Sequence, residues 1–163
     1  MRRLFALLIL FAIAGTSFGT TSEAFVSADQ PRRIAVLTIQ VNDPYISSLE
    51  GRITESLASY VSRCEGCTAF PRESVNSLFR ENGMDLNSMY GDNVVDAAAK
   101  FVPVDLFIKG EITSKSKERT LTLQLVDAAT RKTVNSVSVP YNDTTGRLLT
   151  VHLMNATNSL LKK

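Results

Sequence analysis

The sequence predicts an α/β (α+β) domain built on a single mixed β-sheet, with elements in the order β-α-β-α-α-β-β-β-α. Two stretches carry most of that expectation. Arg32–Val41 (RRIAVLTIQV) is apolar on both alternations, with Ile34 and Val36 on one side and Ala35, Leu37 and Ile39 on the other. That is the pattern of a central strand covered on both faces. Arg119–Val139 (RTLTLQLVDAATRKTVNSVSV) alternates, breaks at a polar DAATRK, and alternates again. Such a stretch forms two strands of an antiparallel meander with one wet face.

The elements follow in order. Asp43-Pro44 offers an N-cap and an N1 proline to a first helix, whose stripe is Ile46, Leu49, Ile53, Leu57 and Tyr60. A short strand around Thr68–Phe70 leads to a helix with Val75, Leu78 and Phe79, which stops at Asn82-Gly83. Asn93–Val102 forms a third helix, ended by Pro103. Strands at Asp105–Thr113, Thr120–Asp127 and Thr133–Val139 come next. Leu121, Leu123 and Leu125 face the core, while Thr120, Thr122 and Gln124 face outward. Thr144 or Thr145 caps a last helix with Leu149, Leu153, Ala156 and Leu160 along one stripe. A right-handed crossover places the first helix on one face of the first strand, and the return through the second and third helices covers the other.

Ahead of this domain, two arginines precede an apolar run from Leu4 to Ala14. Residues 1–19 are expected to be a secretory signal peptide, with an alternative end at residue 28. The run is too short to remain as a membrane span. Residues 20–31 form a short linker, and 32–163 a single domain. No cysteine precedes Cys64, so no lipid-attachment cysteine is expected. The mature chain is thus expected to be periplasmic or secreted. Lys and Arg number 18 against 16 Asp and Glu, and removing residues 1–28 leaves the balance near neutral. Without a basic stripe there is no electrostatic reason to expect nucleic acid or an anionic membrane as partner.

The order of elements resembles the small α/β domain shared by the curli secretion component CsgG, the activator LpoB, the flagellar protein FlgO and the N-terminal domain of TolB. Arg72, Val75, Leu78 and Glu81 look like the Arg-x-x-Leu-x-x-Leu helix of that family, and Gly110 like its strand glycine. Leu125, Val126, Asp127 and Thr130 look like its Leu-Val-Asp-x-x-Thr turn, where Arg131 stands in place of the common glycine. The resemblance implies envelope proteins that work by contact rather than chemistry. The membrane-inserting hairpins of CsgG, the anchor and tether of LpoB and the propeller of TolB are not visible, so the bare module is expected.

Candidate sites are few. Cys64-Glu-Gly-Cys67 follows a helix C-terminus, whereas redox pairs use an N-terminus, where the dipole lowers a thiol's pKa. A zinc site needs two further ligands, and the single histidine is His152. A local structural disulfide between Cys64 and Cys67 is therefore expected in an oxidising compartment, with free thiols as the alternative. His152 belongs to no triad motif. Asp92 and Asp96 read as an N-cap and a first-turn acid of the third helix. Asn142 and Asn155 match glycosylation acceptors, which the bacterial look of the chain leaves unused. Gly110, inside a strand, implies close approach by a helix or a bulge. No cofactor and no catalytic residue is expected.

What remains is the outer face of the meander: Thr120, Thr122, Gln124, Ser136 and Ser138 are the candidate partner surface. The preferred reading is a non-catalytic envelope module that binds another protein, accessory to cell-wall, secretion or motility machinery. The alternative is a structural subunit of a homo-oligomeric assembly at the outer membrane.

Overall fold

In the computed structural model, which describes residues 30–115, 118–141 and 148–162, five strands form one mixed sheet in the order β2-β1-β3-β4-β5. The strands are β1 (Arg32–Asn42), β2 (Cys67–Ala69), β3 (Leu106–Lys115), β4 (Glu118–Asp127) and β5 (Thr133–Pro140). β1 runs parallel to β2 and β3, and β3-β4-β5 is the antiparallel meander. Helix α1 (Glu50–Val61) and the last helix α4 (Leu149–Leu161) cover one face, over Ile34, Val36, Ile108, Ile112, Leu121 and Leu123. Helices α2 (Arg72–Glu81) and α3 (Gly91–Ala98) cover the other, over Ala35, Leu37, Phe107 and Val126. Both faces of the first strand are therefore buried, as its double apolar alternation predicts.

Ile39 lies on the opposite face from the one its spacing predicts. Val36 pairs with Ile108 but Ile39 with Gly110, so β1 carries one extra residue and Ile39 joins the α1 face. A bulge of this kind disrupts the ladder locally, and two remote side chains serve the backbone around it. Thr54 accepts from the Ile39 N–H at 3.2 Å, and Arg72 donates to the Val36 carbonyl at 2.9 Å and to Thr38 Oγ1 at 3.0 Å. Thr38 donates in turn to the Leu86 carbonyl at 3.1 Å. The arginine that opens α2 is thus a clamp on the central strand.

Asp43 does not cap α1. A 3₁₀ turn at Ser47–Leu49 precedes the helix, which starts at Glu50 with no side-chain cap. The Asp43 carboxylate instead accepts from the Tyr45 N–H at 2.8 Å and from Arg119 Nε, and only 2% of Asp43 is exposed. Neither Asp92 nor Asp96 is the N-cap of α3, a position that Tyr90 holds: Asp92 is the first-turn acid and pairs with Lys109, and Asp96, a turn further on, lies 3.5 Å from Arg131. Thr144, Thr145, Asn142 and the signal segment lie outside the described residues.

In the β4–β5 turn, the Thr130 N–H and hydroxyl both donate to Asp127 Oδ1, at 2.7 and 2.8 Å. Those bonds hold the Asp127 carboxyl below its ordinary value. Arg131 then takes φ 59°, a left-handed conformation that costs a non-glycine residue about 1–2 kcal/mol. Its contact with Asp96 joins two half-exposed side chains and offsets little of that. Against glycine's larger unfolded-state entropy, Arg131→Gly should still stabilise the protein, by about 0.5 kcal/mol in urea unfolding. A loss of stability would show that the side chain contributes more than its geometry indicates.

Candidate functional site

The α2–α3 side of the sheet changes character halfway along its strands. Phe107 and Val126 sit opposite each other and are buried. The next pairs on that face are Lys109 with Gln124 and Glu111 with Thr122. Across the next strand boundary, Thr122 pairs with Ser138 and Gln124 with Ser136. α2 and α3 pack on the apolar half, and among the described residues only the first turn of α3 reaches the polar half, at Lys109. A plain alternation in β3 to β5 produces this, since every second residue beyond Phe107 and Val126 is polar.

These groups are partly tied to one another. Lys109 forms an ion pair with Asp92 in the first turn of α3, and its ammonium holds the Asp92 carboxyl below the usual range. Asn42 receives a bond from Gln40 at 2.8 Å and donates to Glu111 at 3.4 Å. The hydroxyls of Thr122 and Ser138 are 3.1 Å apart. Gln40, Gly91, Lys109, Glu111, Thr122 and Gln124 line a shallow recess of about 160 Å³. The face is polar, close to charge-balanced and fixed on rigid strands. It offers amides, hydroxyls and one ion pair, and no nucleophile with an adjacent base.

The structure brings four of the five expected surface residues together. Thr122, Gln124, Ser136 and Ser138 form one patch, with Ser136 and Ser138 exposed and the other two half-buried. Thr120 lies at its margin, opposite Pro140. Sequence reasoning missed Gln40, Lys109 and Glu111. Lys109 and Glu111 could have been found from the same alternation in β3, where they follow Phe107 at spacings of two.

Elsewhere, the Sγ atoms of Cys64 and Cys67 lie 3.5 Å apart. They flank a turn in which the Cys67 N–H donates to the Cys64 carbonyl and Gly66 takes φ 72°. Burial, then the neighbouring Cys64, pushes the Cys67 thiol up to about 11. His152 stacks edge-on against the buried Tyr141, ring centroids 5.5 Å apart. Asn155 is exposed on α4. Among the described residues, no group of three metal-binding side chains converges, and no helix is long and apolar enough to cross a membrane.

No family model and no curated protein matches the chain. Solved structures do match in fold. The LpoB C-terminal domain from Salmonella enterica superimposes with a TM-score of 0.59 at 13% identity, covering 72% of this chain and 87% of that one. Lipoprotein GNA1162 from Neisseria meningitidis gives 0.56 at 19% identity, over 82% and 99%. A dodecamer of a PelC variant from Paraburkholderia phytofirmans gives 0.51 at 10% identity, over 81% and 86%. The LpoB-like fold expected from the order of elements is the fold found.

Proposed function

We propose that the chain is an exported envelope protein that acts by docking another protein on the bare polar half of its sheet, without chemistry of its own. The observation that supports this is that helical cover thins to the first turn of α3 beyond Phe107 and Val126, which leaves a flat polar face of Glu111, Thr122, Gln124, Ser136 and Ser138 beside the Lys109–Asp92 pair. Small polar side chains on a rigid sheet lose little entropy on binding and are easily desolvated. A photo-reactive residue at position 124 should cross-link one defined envelope protein in cells, and the same residue at Asn158, exposed on α4, should not. Equal labelling from both positions would remove the support. Mass spectrometry of the exported protein should show a start near Thr20 or Asp29, and an intact Met1 would exclude cleavage.

The Cys64–Cys67 disulfide belongs to the same proposal, because an oxidising compartment would close it. So short a loop removes little unfolded-state entropy, and the bond should add only about 1–2 kcal/mol. Protein taken from the envelope should not react with iodoacetamide until it is reduced. After reduction, Cys67 should alkylate slowly at neutral pH and faster as the pH approaches 11. Two freely reacting thiols in the untreated protein would refute the disulfide.

A homo-oligomeric role is the second reading. The likeness to PelC, a dodecamer, and the edge of β5, which no other described strand pairs, favour it.

A further inference from the structure

We propose that two copies of this chain join through β5, antiparallel and edge to edge, into one continuous sheet. β5 closes the sheet on one side with eight residues, whereas β2 closes the other with three. Natural edge strands are usually blunted by charge, and Thr133–Val139 (TVNSVSV) carries none. Just past the strand, the Tyr141 N–H donates to the Arg119 carbonyl at 2.7 Å. By the alternation of an antiparallel ladder, Asn135, Val137 and Val139 address β4, and Ser136 and Ser138 turn their backbone groups outward.

The edge is partly guarded. Val134 is the extra residue of a bulge opposite Leu125–Val126, and the Ser136 N–H donates to Asn135 Oδ1 at 2.9 Å. Pro140 has no N–H to offer. Ser138 keeps its outward position between these guards, and pairing requires only that Asn135 release Ser136.

The occupant is a second copy because β5 matches itself. A two-fold axis normal to the sheet through Val137 sets Val137 against its own copy. It then pairs Ser136 with Ser138 of the second copy, and Val134 with Pro140. The Ser136–Ser138 pairs fall at hydrogen-bonded positions, and the N–H that Pro140 lacks falls at the margin. β5 carries no charge that would select another sequence. α4 lies over β4 and β5, so two copies of it would stand about 10 Å apart, an ordinary packing distance. The second copy also completes the polar face, adding its own Thr122, Ser136 and Ser138 to a surface twice as wide.

Light scattering on the mature chain at micromolar concentration should give a dimer. Ser138→Pro removes an outward N–H without touching the β4 ladder, and Val134→Lys puts a charge on the edge. Each should give a folded monomer, and the pair guards against one failing to fold. In a Cys64→Ser, Cys67→Ser background, Val137→Cys should cross-link two copies under mild oxidation. A monomeric wild type, or folded edge variants that remain dimers, would overturn the proposal, and so would a Val137→Cys protein that forms no cross-link. Edge pairing does not depend on the docking face, because Thr122→Lys alters that face and leaves the edge groups in place.

Discussion

Asp43→Ala should cost about 3–5 kcal/mol in chemical denaturation, the largest single-residue effect expected outside the apolar core. The substitution strands Arg119, itself only 9% exposed, without its carboxylate. Removing both charges should recover much of the loss, so Asp43→Ala with Arg119→Met should be more stable than Asp43→Ala alone. Burial raises the Asp43 carboxyl, but the bonds from Arg119 and the Tyr45 N–H, with the Arg119 charge, outweigh it and hold the group below its ordinary value. Its contribution is therefore complete above about pH 4 and is lost as pH falls through the depressed value. Asp43→Asn should flatten the acid limb of the stability curve and leave the neutral limb parallel to wild type. A double variant no better than the single one would show that the pair is not coupled.

Gly110→Val should cost about 3 kcal/mol, the upper end for an overpacked site. A Cβ at position 110 would stand 2.5 Å from the Thr122 carbonyl oxygen and 2.7 Å from Leu123 Cδ2. A flexible side chain can yield to such a clash, but a ladder carbonyl cannot without moving β4. Gly110→Ala carries the same first atom and should already lower the melting temperature. A melting temperature unchanged in both variants would mean that β3 and β4 are not so close. Of the two reasons its position in a strand implied, a packed helix or a bulge, the glycine answers to no helix: the neighbouring strand β4 crowds it, and it pairs with Ile39 just after the β1 bulge.

These two sites mark where the sequence was legible and where it was not. Periodicity reports which side of an element is apolar, so the five strands, the four helices and the two covered faces of β1 could all be read from it. It does not report an inserted residue. The bulge in β1 moves Ile39 to the other face, and only Arg72 and Thr54, both remote in sequence, reveal how its backbone is satisfied. Asp43 was misread for a related reason. Asp-Pro before an apolar stripe is a sound local cap signal, but a partner 76 residues away won the carboxylate. The polar face is half legible: alternation marks it in β4 and β5, while in β3 Lys109 and Glu111 lie between Ile108 and Ile112, whose apolar spacing dominates the strand.

The most direct measurement of the docking face is calorimetric titration of the protein cross-linked from position 124 against wild type and Thr122→Lys. A lysine at 122 sits opposite Glu111, so an attractive cross-strand pair should keep the fold intact while the face gains a charge. Wild type should bind, and Thr122→Lys should bind at least about tenfold more weakly, as a charge forced into a flat neutral contact requires. Asn158→Lys, on the exposed side of α4, should match wild type. Equal affinity for wild type and Thr122→Lys would contradict the assignment of this face.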